Sequence, residues 1–246
     1  MDELLVMSEL KHPNIVTFIG ACMEPPKDMW FCMELCDRSL NEIIHGSQKR
    51  NLPSCTLSVH EKLTLAGEVA SGMSYLHTRT PPLVHRDLKS ANVLQSRDGH
   101  LKVCDFGLVR TKNGGAGTPS YMAPELLTGK PFNASVDVYA FGVLLCEIFT
   151  GDVPFTGYDY ADLRRKVPLG ERPDLPRYDT PDEIRALIKA CWQDNPARRP
   201  SFPEVLETVD RVRAATPAQS NLEKLDSMDS LGGGGDILDS LMGGHK

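Results

Sequence analysis

Apolar positions in the first eleven residues recur at a helical period, with Leu4, Met7 and Leu10 in step, and predict the end of a helix. Two short apolar runs follow, "NIVTFIGA" and "MWFCMEL", parted by the turn-forming "EPPKD". They predict two strands, the second leading into a linker around Cys36 and Asp37. A long amphipathic helix is predicted over roughly 57–79, with Leu65, Val69, Met73 and Leu76 on one face. The double proline at 81–82 stops it. Two short strands, "NVLQ" and "LKVC", are joined by the Asp98-Gly99 turn.

Residues 135–150, "SVDVYAFGVLLCEIFT", are apolar nearly all round and end at Gly151. A helix of that kind is buried on every side, and this one is too short to span a bilayer. It predicts the central post of a helical lobe. Two more helices are predicted near 181–193 and 201–213, flanking "NPARRPSFP". From Ala214 onward, "LEKLDSMDSLGGGGDILDSLMGG" has few large residues, a four-glycine run and repeated Asp-Ser. This predicts a disordered tail over 214–246, within which "LEKLDSM" or "DILDSLM" could dock on a regulatory partner.

Composition changes this picture little. The 246 residues are 41% hydrophobic and 24% charged, with a formal net charge of −6, which argues against nonspecific nucleic-acid binding. No run of about 18 apolar residues occurs, so no membrane insertion is expected. The seven cysteines form no Cys-x-x-Cys pair and suit reduced thiols in a cytoplasmic protein.

Three motifs stand in order: "HRDLKSAN" at 85–92, "DFG" at 105–107 and "APE" at 123–125. Each is weak alone. Their order, spacing and setting together resemble the eukaryotic protein kinases, over about residues 1–213. The resemblance implies an α+β, protein-kinase-like fold. Residues 1–36 would be part of the N-lobe and 37–213 a mostly helical C-lobe. "DLKSAN", Thr118 in "GTPSYMAPE", "HPNIV" and the 135–150 helix are similar to the tyrosine-kinase-like group of serine/threonine kinases.

By that resemblance the ligands are ATP, Mg²⁺ and a protein substrate, and the catalytic residues are Asp87, Lys89, Asn92 and Asp105. Asp87 would meet the substrate hydroxyl and take its proton, with Lys89 beside the travelling phosphoryl group. Asn92 and Asp105 supply the oxygen ligands that hard Mg²⁺ prefers. "FCMELCD" resembles the hinge between lobes. Met33 would be the gatekeeper, Glu34 and Cys36 would offer backbone groups to adenine, and Leu94 would lie beneath the ring. Asp137 would hold the backbone around His85 and Arg86, and Glu125 would pair with Arg199. Met7, Phe18, His85 and Phe106 match a stacked apolar spine, and Gly107 completes the DFG motif. Arg86 implies a basic pocket for a phosphate on the activation segment, with Thr111 or Ser120 as the acceptor.

A complete kinase carries a glycine-rich loop and a lysine-bearing strand upstream, and this sequence has neither. Glu3 stands where the partner of that lysine belongs. The expectation is that Met1 is internal to a longer chain or that the sequence is incomplete. Losing one charge-stabilising donor costs about 3 to 4 kcal/mol, so very low activity is expected of this polypeptide alone. The two leading strands should form a marginal hairpin with an exposed apolar edge. A pseudokinase or truncated kinase fragment acting as a protein-binding platform without catalysis is the alternative.

Overall fold

The computed structural model describes residues 8–24, 28–105 and 117–218. Glu3, Leu4, Met7, Phe106, Gly107, Thr111 and the tail beyond residue 218 lie outside the described residues. The chain divides into two units, Met1–Thr216 and Pro217–Lys246, and every element below belongs to the first. The fold is α+β and mostly helical.

Helix α4, Ser135–Thr150, is the post around which the helical lobe packs, and every residue from Val136 to Phe149 is buried. It ends where Gly151 takes a left-handed φ of 75°, a conformation that costs glycine nothing. Helix α2, Val59–His77, packs against α4 and against helix α7, Phe202–Ala215; helix α6, Asp182–Cys191, packs against both α4 and α7. Ser58 and Ser201 cap α2 and α7 in reciprocal pairs with Glu61 and Glu204, satisfying backbone donors that a helix start leaves free. The buried stripe of α2 runs through Leu63, Ala66, Val69, Ala70, Met73 and Leu76. Leu65, expected on it, is only partly buried at the margin of the core.

Strands β3 (Cys36–Ser39), β4 (Val93–Ser96) and β5 (Leu101–Val103) form an antiparallel sheet in that order. The turn between β4 and β5 passes through Gly99, whose φ is 89°. The run "NIVTFIGA" is not one strand. Its first part lies parallel beside β5, with Val103 N–H donating to Asn14 O at 2.9 Å and Val16 N–H to Val103 O at 3.0 Å. Its second part begins β1, Phe18–Glu24, which pairs with β2, Asp28–Met33, as a separate antiparallel hairpin. Gly72 lets α2 approach the first part closely, since a Cβ there would stand 2.5 Å from Asn14 O. On the hairpin, Trp30 is 68% and Ile19 65% exposed.

Three further helices are short: α1 (Leu40–His45), α3 (Pro124–Leu127) and α5 (Tyr160–Lys166). The residues read as a linker at Cys36 and Asp37 belong instead to β3, which exists because β4 offers it a partner edge.

Candidate active site

The site is assembled from the buried end of α4 outward. Asp137, in the first turn of that helix, is fully buried. Its carboxylate accepts the His85 and Arg86 amides, each at 2.7 Å, and approaches His77 Nε2 at 2.9 Å. A buried carboxylate needs such donors to offset its desolvation. In return, Asp137 fixes the loop through a strained point, since Arg86 has a φ of 70°, unusual for a side-chain-bearing residue. The Arg86 guanidinium lies 5.0 Å over the Phe132 ring.

His85 ties this loop to the end of β5. Its Nε2 lies 2.8 Å from Cys104 O, while its Nδ1 accepts the Asp87 amide at 3.2 Å. The Cys104 amide donates to Asn92 O at 2.9 Å. Asp105 follows at once, exposed and with a φ of 65°, so the loop from His85 to Asn92 holds the strand end that carries it. Burial, then the charge of Asp105, pushes the Cys104 thiol up to about 12.

Four donors converge on Asp87. Its Oδ1 accepts the Thr118 amide at 2.8 Å and the Thr118 hydroxyl at 2.9 Å. Its Oδ2 accepts Lys89 Nζ at 2.9 Å and Asn92 Nδ2 at 3.0 Å. Lys89 also donates to Thr118 Oγ1 at 2.6 Å. Burial pushes the Asp87 carboxyl up, but the bonds from Lys89 and Thr118 outweigh it and leave it below its ordinary value. It is therefore a carboxylate at neutral pH.

Asn92 turns its amide nitrogen to Asp87, also reaching Asp87 O at 2.9 Å, so its oxygen is the atom that remains for a cation. That oxygen and the Asp105 carboxylate are hard donors of the type that suits Mg²⁺, an ion bound by few protein ligands together with phosphate. Among the described residues, no group of three or more His, Cys, Asp or Glu side chains is arranged as a metal cage.

The hinge candidates sit apart from this cluster in sequence. Met33 ends β2 and is 43% exposed, and Leu94 lies half-buried in β4. Cys36 opens β3, opposite Ser96. Glu34 bridges two elements, its carboxylate accepting the Thr17 amide at 2.6 Å and Lys102 Nζ at 3.0 Å. Its own amide donates to Thr17 O at 3.0 Å. Burial opposes ionisation of Glu34, but these Thr17 and Lys102 contacts leave its carboxyl lowered. Of the spine candidates, Phe18 is half-buried and His85 buried.

Glu125, in α3, and Arg199 form a buried two-pronged pair, at 2.6 and 3.0 Å. Arg199 also donates to Gln193 O and Ser135 O, at 2.9 and 3.1 Å. The segment that carries Thr118 is thereby fastened to the lower helices. Ser120 is half-buried beside it.

Sequence reasoning passed over His77, Ser90, Tyr121 and Glu147. Glu147 had a visible signal, as an acid in the same otherwise apolar helix as Asp137. Ser90 and Tyr121 lie inside the motifs themselves.

Comparison with known proteins bears on the same span. A family model described as protein tyrosine and serine/threonine kinase matches residues 1–209. The chain is 39% identical over 226 residues to the serine/threonine-protein kinase CTR1 of Arabidopsis thaliana, covering 88% of this chain and 27% of that protein. It is 37% identical over 219 residues to the dual specificity protein kinase shkD of Dictyostelium discoideum, covering 85% and 28%. With the probable serine/threonine-protein kinase SIS8 of Arabidopsis thaliana it shares 37% over 239 residues, covering 94% and 22%. The chain thus spans about a quarter of the length of these relatives. A match of that extent, on a chain whose Lys89, Asn92 and Thr118 meet around Asp87, makes it a member of the protein tyrosine and serine/threonine kinase family.

Proposed function

We propose that this chain carries the phosphoryl-transfer centre of a protein serine/threonine kinase, moving the γ-phosphoryl group of ATP to Ser or Thr hydroxyls of a protein substrate. One observation carries the reading: Asp87 is held ionised by Lys89, Asn92 and Thr118. Its lowered carboxyl is a weak base. Such a group orients the incoming hydroxyl and takes its proton late, which suits a loose, dissociative transition state. The hydroxyl enters by displacing one of the four donors.

Lys89, with its ammonium on both Asp87 and Thr118, can stabilise charge on the moving group while keeping the base aligned. Asn92 and Asp105 would hold Mg²⁺, which neutralises phosphate charge when bound. Met33, Glu34, Cys36 and Leu94 would border the adenine, with backbone groups of Glu34 and Cys36 bonding it. Lys89 and Thr118 support serine or threonine as acceptor, as do the names of the two Arabidopsis relatives.

The setting is signalling in the cytoplasm, supported by seven free cysteines. Among the described residues no helix is long and apolar enough to cross a membrane. Of residues 214–246, the segment assigned here to a regulatory partner, Ala214 and Ala215 belong to α7.

Incubating the purified chain with Mg²⁺, γ-labelled ATP and a generic protein substrate tests the assignment. Slow, Mg²⁺-dependent label on serine and threonine is expected. Label on tyrosine alone would contradict the acceptor class. Mg-ATP bound without any transfer would favour the binding-platform reading instead.

A further inference from the structure

Glu147 lies near the C-terminal end of α4, about three turns from Asp137, and is buried to 1% exposure. Its carboxylate meets three side chains from three separate segments. Oε1 lies 2.8 Å from the Ser90 hydroxyl and 2.9 Å from His45 Nε2 of α1, and Oε2 lies 2.7 Å from the Tyr121 hydroxyl. The Ser90 and Tyr121 hydroxyls are themselves 3.3 Å apart, and Asn41 Nδ2 donates to Ser90 Oγ at 3.3 Å. Burial, then the Glu147 charge, pushes the Tyr121 phenol well above its ordinary value, so it stays a donor.

The three segments are not equivalent. Ser90 directly follows Lys89 in a single 3-10 turn, Ser90–Asn92, whose Asn92 amide closes onto Lys89 O at 3.0 Å. Tyr121 closes a similar turn, its amide donating to Thr118 O at 3.0 Å. Lys89 reaches Asp87 at Oδ2, where Asn92 also donates, and Thr118 reaches it at Oδ1. One buried carboxylate therefore pins the turn beside Lys89 and the turn beside Thr118. A group serving packing alone has no need to join these two turns, since an apolar side chain would fill the same space without desolvating a charge.

We propose that Glu147 is a positioning residue: by holding Ser90 and Tyr121 together it sets Lys89 and Thr118 against Asp87. The catalytic consequence rests on the kinase reading above; the positioning itself does not. In Glu147→Gln one acceptor oxygen becomes a donor, and it must face a hydroxyl or the His45 ring. The two turns then separate while the rest of α4 stays packed.

Amide hydrogen exchange on the full chain tests the positioning directly. In Glu147→Gln, the Asn92, Thr118 and Tyr121 amides should exchange about tenfold faster. The Val205 amide, bonded to Ser201 O in α7, should change less than twofold. Should Glu147→Gln fail to fold, Ser90→Ala and Tyr121→Phe each remove a single hydroxyl and should loosen the same amides. Unchanged exchange at those amides in the folded variants would overturn the proposal.

Phosphotransfer by the same proteins tests the consequence. Each variant should lose about tenfold in kcat with KM for ATP within twofold, and Ser90→Ala added to Glu147→Gln should cost little more. Full kcat alongside loosened amides would end the catalytic part. Absence of Asp87-dependent transfer in the unsubstituted chain instead strikes the kinase reading, and the exchange result still decides the positioning.

Discussion

Thr118 closes on Asp87 twice, through its amide at 2.8 Å and its hydroxyl at 2.9 Å, both on Oδ1. The same hydroxyl receives Lys89 at 2.6 Å, so three side chains form a closed ring of donors and acceptors. Thr118, thirty-one residues beyond Asp87, is thereby fixed to the loop that carries Asp87 and Lys89.

Thr118→Val keeps the amide bond and the shape but deletes the hydroxyl. Hydrogen bonds to charged groups contribute about 1.5–3 kcal/mol, so kcat should fall roughly 10- to 100-fold. Thermal stability should change little, because Thr118 is only half-buried. Steady-state kinetics beside a melting curve separate the two effects. Undiminished kcat would show that the ring is not used in turnover.

Asp87 also gives a pH signature. Its folded-state carboxyl lies below the ordinary value, and an unfolded aspartate titrates near about 3.9. The stabilisation is therefore complete above that pH and is lost as pH falls through the folded value. Urea unfolding of the unsubstituted chain and Asp87→Asn should show a constant difference above about pH 5, shrinking in more acid solution. A difference that grows toward acid would contradict the assignment.

The Glu125–Arg199 pair should matter for stability more than for chemistry. Both side chains are buried, and breaking such a pair from one side costs about 3–5 kcal/mol. Arg199→Ala should lose that much by urea denaturation. Replacing both residues, as Arg199→Met with Glu125→Leu, should cost less than the single change. An additive double substitution would show that the two do not act as a pair.

The chemistry was more legible in the sequence than the architecture around it. The kinase reading assigns Asp87, Lys89, Asn92 and Asp105 to proton transfer and magnesium binding, and the motifs that hold them can be recognised without tertiary context. Strand β3 did not, because "CDRS" has no apolar alternation and is a strand only through its pairing with β4. The apolar run from Asn14 to Ala21 reads as one strand until β5 claims Asn14–Val16. Helix α1 did carry a signal, since Ser39 and Glu42 form a capping box, but six residues are too few for periodicity to show. The acid at 147 stood out in its apolar helix, but the Ser90 and Tyr121 turns that its carboxylate contacts are brought together only in the folded chain.

The sharpest test is single-turnover transfer of labelled phosphate from Mg-ATP to protein, comparing the chain with Asp87→Asn. Asparagine preserves the shape and accepts hydrogen bonds on one atom, yet cannot take the substrate proton. Removal of a general base typically costs 10²–10⁴-fold, and the account predicts a loss in that range with Mg-ATP affinity retained. Equal transfer by both proteins would contradict it.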